Sequence, residues 1–284
     1  MDDVLRGVID THVHTSPDAV SRRYSDLELA ELASGLGVAA IVIKSHLGDT
    51  AARAADCNEY LARVNPGGGT RVFGGVALNY PVGGLNLKAV EVSAALGGKV
   101  IWMPTSDAAN DREKHGKTGG IRVTGPDGEL CPQAREILSF AREHGLILAT
   151  GHLSPPEIFA LAREAAEQGF GKLVITHPEY WVVGLTHAQQ RELAGVYGAS
   201  LERCYRQPMP DGAWADNVGD TLRLIDEIGW EHIIAATDGG QPVNPPWDSE
   251  LRDYIGRLSA HLASPEAVRH MTAELPAKLL GITL

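Results

Sequence analysis

One short pattern recurs along this chain: an apolar run of strand length that stops at a histidine or an aspartate. The first instance is Gly7-Val8-Ile9-Asp10-Thr11-His12-Val13-His14, where two histidines stand on alternate positions and so leave one face of a strand together. Val38 to His46, Leu146 to His152, Lys172 to His177 and His232 to Asp238 repeat the form. A single His-x-His pair arises easily by chance, but its repetition at successive strand ends does not. Neutral imidazoles and a carboxylate brought together from several strands suit a divalent metal.

Between these runs lie stretches of helical periodicity, and that alternation predicts parallel strands joined by crossover helices. Eight such units can be counted, with strands near 7–12, 38–46, 71–79, 99–104, 146–152, 172–177, 198–204 and 232–238. Helices are expected from Ser25 to Leu36, from Pro132 to His144, and from Pro155-Pro156-Glu157 onward, since proline suits a first helical turn. Eight βα units close into a (β/α)8 TIM barrel, whose active site lies at the carboxyl ends of the strands. A doubly wound sheet would not gather ligands from the first, second, fifth, sixth and last strands at one point. The segment from about 106 to 131 breaks the rhythm and reads as an insertion after the fourth strand, with a hairpin around Pro126-Asp127-Gly128. As a lid it would carry His115, Lys117 and Arg122, and a solvated surface excursion is the alternative.

The 284 residues contain 44% hydrophobic and 21% charged residues, enough apolar material for one large core in a single domain spanning 1–284. A formal net charge of −11 argues against nucleic acid or an anionic membrane surface as partner. A small-molecule substrate is the expected partner, and self-association through Trp181, Val182 and Val183 stays open. Cys57, Cys131 and Cys204 follow no Cys-x-x-Cys spacing and read as free thiols. The short acidic start, Met1-Asp2-Asp3, leaves no room for a signal peptide, so a cytoplasmic location is expected.

His12-x-His14, His152, His177 and Asp238, at the ends of the first, fifth, sixth and eighth strands, together resemble the amidohydrolase superfamily. The closing segment Glu274-Leu275-Pro276-Ala277-Lys278-Leu279-Leu280-Gly281 is similar to an Asn-Pro-Ala-Lys-Leu-Leu-Gly ending common there. The resemblance implies one or two catalytic metals, zinc first, with manganese or iron also suited to these ligands. That superfamily often bridges two metals with a carboxylated lysine on the fourth strand, where this chain has Trp102-Met103-Pro104-Thr105. Lys44 shares the inward parity of His46 on the second strand. A bridging carbamate, an ammonium contact to substrate and a pairing with Asp238 are all open for it. Asp10-Thr11-His12-Val13-His14-Thr15, followed by Lys44-Ser45-His46, also resembles the PHP phosphoesterases and makes His46 a further candidate ligand. That family closes with Asp-x-His, where this chain has Asp238-Gly239-Gly240.

The expected metal ligands are therefore His12, His14, Lys44, His46, His152, His177 and Asp238. The reading that follows is hydrolysis of a C–N or C–O bond, in an amide, cyclic amide or imide, or lactone, by metal-activated hydroxide with Asp238 as general base. A phosphoesterase, a metal-dependent decarboxylase and a non-catalytic binding barrel are the alternatives. Tyr80, Trp102, His115, Arg122 and Arg203 are candidate substrate contacts, with Asn79, Glu202 and Tyr205 beside them. For these, an error of one residue in register reverses the side they face. His144, His187, His232, His261 and His270 fall in helices or at strand starts and read as surface residues.

Overall fold

The computed structural model describes residues 4–284; the acidic opening Met1-Asp2-Asp3 lies outside the described residues. The strands are β1 Ile9–Val13, β2 Ala40–Ile43, β3 Arg71–Phe73, β4 Gly75–Ala77, β5 Val100–Trp102, β6 Ile147–Ala149, β7 Leu173–Thr176, β8 Ser200–Cys204, β9 Arg206–Pro208, β10 Trp214–Asp216 and β11 Ile233–Ala236. The helices are α1 Asp26–Gly35, α2 Ala51–Val64, α3 Leu87–Ala95, α4 Ala109–Lys114, α5 Pro132–Glu143, α6 Pro155–Glu167, α7 His187–Gly195, α8 Val218–Ile228, α9 Trp247–Leu262, α10 Pro265–Arg269 and α11 Leu275–Leu280. Ser25 and Ser154 start α1 and α6 through capping boxes with Glu28 and Glu157, which satisfy backbone N–H groups that a helix start leaves free.

β1, β2 and β3 pair in parallel, and so do β4, β5, β6, β7, β8 and β11. β3 and β4 are one strand interrupted at Gly74. A side chain on Gly75 would stand 1.8 Å from the Val100 carbonyl oxygen, so the chains approach too closely there for any other residue. At the other seam Val13 bridges Gly239 in parallel, and His14 N–H donates to the Gly239 carbonyl at 2.8 Å. Counting β3 and β4 as one, the parallel strands form the (β/α)8 arrangement. Each expected strand is present, mostly shorter than expected, with β1 shifted to end one residue later, at Val13.

Alternate strand residues divide into two cores. Ile9, Ala40, Val42, Ala77, Trp102, Ala149, Val174 and Ile234 fill the interior, whose lower end is plugged by Leu275, Leu279 and Leu280 of α11. Ile41, Ile43, Val76, Ile101, Leu148, Ile175 and Leu201 pack outward against the helices. In β1 the parity changes partway. Ile9 belongs to the inner core and Val13 to the outer, and the pairing with β2 shifts register between Asp10 and Val13. This bulge turns both His12 and His14 inward, although simple alternation from Ile9 would point them out. The insertion after β5 contains α4 and a tight turn closed by the Thr124–Leu130 bridge and by Gly125 N–H donating to the Glu129 carbonyl at 2.8 Å. No described helix is long and apolar enough to cross a membrane.

Candidate metal centre

His14, Lys44, His46, His152, His177 and Asp238 all line one cavity of about 150 Å³ at the carboxyl ends of the strands. His12 sits just beneath, fully buried. Asp238 Oδ1 lies 3.2 Å from His12 Nε2 and 3.1 Å from His14 Nε2, and those three donor atoms fall within 4.8 Å of one another. The ring centroids of His14 and His46 are 5.2 Å apart, those of His46 and His152 5.6 Å, and those of His152 and His177 5.0 Å. Each sequence-expected ligand is thus part of one continuous cluster.

The hydrogen bonds behind the cluster show which ring atoms are free. His12 Nδ1 donates to the Glu202 carboxylate at 3.1 Å, and Thr11 holds the other Glu202 oxygen at 2.7 Å. His12 Nε2 then faces Asp238 Oδ1 at 3.2 Å and Lys44 Nζ at 3.1 Å. His152 Nδ1 donates to Asp111 at 2.6 Å, and His46 Nδ1 lies 2.7 Å from the Thr105 hydroxyl, which Asn79 holds in turn at 2.6 Å. Ring nitrogens anchored in this way leave Nε2 as the ligand atom, the usual support of a metal-binding imidazole. His14 Nδ1 and His177 Nδ1 are buried without a partner. The donor set fits a divalent metal.

Electrostatics agree. Burial pushes His14 down to about 3 despite its contact with Asp238, and burial likewise lowers His46, His152 and His177, so these rings are neutral at physiological pH. Burial opposes ionisation of Asp238, yet His12, His14 and Lys44 hold it well below the ordinary carboxylate range. Burial lowers Lys44, which is fully enclosed and has Nζ 3.1 Å from His12 Nε2. Lys44 makes no direct salt bridge to Asp238 among the described residues, but the charge of Asp238 acts on it against the effect of burial. His177 (φ 27°) and Asp238 (φ 52°) both adopt left-handed backbone, a strained conformation for residues other than glycine and one that recurs at functional sites.

The expected substrate contacts are mostly elsewhere. Arg203 faces outward and is buried between Glu179 and Asp220, while its neighbour Glu202 takes the inward position. Trp102 belongs to the inner core, its ring 5.9 Å from Lys44 Nζ, and so floors the site beneath the ligands. Tyr80 is half exposed on a short turn, and neither it nor Arg122 lines the cavity. His115 pairs with Asp111 and stacks edge-on against Trp181, which braces the partner of His152. The insertion after β5 therefore supports the site from behind. The cavity is completed by residues that no pattern flagged: Arg22, Tyr180 and Gln241 from loops, and Arg206, Gln207, Pro208 and Trp214 from the β9–β10 hairpin.

Behind Asp238, Glu250 on α9 is buried with neither carboxylate oxygen bonded. Burial, reinforced by the charges of Asp10 and Asp238, pushes it up to about 8. A raised folded-state value means that the neutral form adds stability, present in full below the unfolded value of 4.5 and lost as pH rises through about 8. Glu250→Gln fixes the neutral form. It is expected to raise Tm by about 3 °C or more above that range and to match the parent in mild acid, measured by thermal melts across pH. Equal melts in alkali would show that the carboxylate is solvated.

The (β/α)8 arrangement, with the candidate ligands at its strand ends, is a fold that other proteins share. Solved structures share it at low identity. An amidohydrolase from Pseudomonas aeruginosa superposes with TM-score 0.68 at 15% identity, over 98% of this chain and 96% of that one. A dihydroorotase from Campylobacter jejuni gives 0.61 at 12%, over 99% and 84%. A metallopeptidase described as a dipeptidase gives 0.61 at 16%, over 97% and 98%. No curated protein matches the sequence. The chain belongs to DUF6282, a family of unknown function whose profile matches residues 7–202.

Proposed function

We propose that this protein is a metal-dependent hydrolase of a small-molecule C–N or C–O bond, in an amide, cyclic amide or imide, or lactone. One observation carries the reading: His12, His14 and Asp238 converge while His46, His152 and His177 close the same cavity, each from a different strand end apart from the first pair. Names among the structural neighbours, a dihydroorotase, a dipeptidase and an enamidase, support the C–N class.

His12, His14 and Asp238 would hold one divalent metal, and His152 and His177 a second, with His46 at the edge of either. When bound, such a metal brings coordinated water toward a pKa of about 7 and polarises a carbonyl oxygen; zinc, manganese and iron all suit these ligands. Asp238, held anionic, would take the proton of the attacking water and return it to the leaving group. Glu202, Asp111 and Thr105 keep the imidazoles oriented. Lys44, buried beside His12, would be a further ligand if carboxylated, since flanking cations would favour the anionic carbamate.

Lys44→Ala is then expected to lower metal content from about two per chain to about one, read by elemental analysis of protein purified without added metal. Unchanged stoichiometry would return Lys44 to substrate or structure. The hydrolase itself is tested with a panel of small amides, cyclic imides, lactones and phosphomonoesters on metal-loaded protein. Turnover of phosphomonoesters alone would favour the PHP-like alternative, which His46 keeps in view by standing within the cluster.

A further inference from the structure

The cavity contains a charge that the proposed hydrolysis does not use. Arg206, on the β9–β10 hairpin, lines it together with Arg22. Arg206 Nη2 donates to the Trp214 carbonyl at 2.8 Å, which fixes the guanidinium to its own hairpin, while its buried Nε has no partner. Other enclosed arginines of this protein are neutralised: Arg203 by Glu179 and Asp220, Arg53 by Asp26, and Arg22 by Asp18. Arg206 has no such ion pair among the described residues. Glu250, which lies in its field, makes no hydrogen bond to it. A guanidinium fixed at the wall of a small cavity, with no carboxylate paired to it, is a positive charge that suits an anionic group on a ligand. This is a positive site on a chain of net charge −11, so it does not follow from the overall composition.

We infer that Arg206 is the anion clamp of this cavity, and that its ligand class is a small carboxylate. A volume of about 150 Å³ lies below the roughly 300–1,000 Å³ typical of drug-sized ligands, which restricts the ligand to a few atoms beyond the acid group. Tyr180 and Trp214 supply aromatic wall beside the clamp. Taken with the hydrolase reading, on which this step rests, the substrate is an amide, cyclic amide or lactone that carries a free carboxylate close to the bond broken. Because Arg206, Gln207 and Trp214 belong to one hairpin, that hairpin sets specificity while the strand ends set the chemistry.

Two pairs of probes that differ in charge but little in size test the clamp without needing turnover: N-acetylglycine against N-acetylglycinamide, and benzoate against benzamide. Calorimetric titration of the metal-loaded protein is expected to show each carboxylate binding about 10- to 100-fold more tightly than its amide. Arg206→Met should remove that preference in protein that still melts cooperatively, and Arg206→Lys should restore part of it. Equal binding of acid and amide, absence of saturable carboxylate binding, or a preference that survives in Arg206→Met would each overturn the clamp. Hydrolysis of amides with no preference for the carboxylate probes would leave the hydrolase standing without the clamp, whereas the charge preference without any turnover would do the reverse.

Discussion

Asp238→Asn is expected to lower turnover by about 10³-fold while most of the metal stays bound. The asparagine keeps the shape and one carbonyl oxygen, so a ligand position survives. What disappears is the negative charge, and with it the capacity to accept a proton from water. The surroundings of Asp238 indicate why this charge matters: one oxygen serves both His12 and His14, and its carboxyl is held anionic against the cost of burial. A strained backbone at φ 52° holds the side chain in place, a cost of order 1–3 kcal/mol that a merely structural residue would not need. Turnover on whichever panel substrate is hydrolysed, elemental analysis and a thermal melt together separate the outcomes. Surviving activity with normal metal would remove Asp238 as the base. Loss of metal in step with activity would make it a ligand first.

The strand ends were legible because a parallel barrel strand is buried on both faces and reads as an apolar run, and a polar residue at the end of such a run stands out. That logic located His12, His14, Lys44, His46, His152, His177 and Asp238, and the cluster unites all of them. It could not choose between Glu202 and Arg203, neighbours on one strand, because alternation gives two equivalent registers until the barrel fixes one. For β1 it gave the right pair by spacing alone, although the bulge that turns them inward leaves no mark in composition. Arg22, Tyr180, Arg206 and Trp214 were beyond reach for a different reason. They sit on loops and on a short hairpin, where no periodicity ties sequence position to direction in space. The insertion after β5 drew attention by its length, yet its contribution is Asp111 behind His152 rather than a cover over the cavity.

A single added methyl group at Gly240 is expected to cost about 3 kcal/mol or more, lowering Tm by about 6 °C or more, and to reduce metal content with it. Gly240 has φ of +107°, where an L side chain is strained, and a Cβ there would stand 1.9 Å from the His14 carbonyl oxygen. Backbone on both sides of that contact is committed. His14 N–H donates to the Gly239 carbonyl at 2.8 Å, and Arg23 N–H donates to the Gly240 carbonyl at 2.7 Å. The methyl group therefore has nowhere to go unless the last strand separates from the first, and that seam carries Asp238 on one side and His14 on the other. Metal affinity and fold stability should fall together, because one backbone contact sets both. Gly256→Ala supplies the comparison: it lies in α9 with no atom within 4 Å of the added group, and helix propensity favours alanine there by up to about 1 kcal/mol. Paired melts and metal analyses of the two variants decide the matter. If Gly240→Ala retained parent stability and metal, the seam between first and last strands would be slack, and the site would owe its geometry to the side-chain hydrogen bonds of Glu202, Asp111 and Thr105 alone.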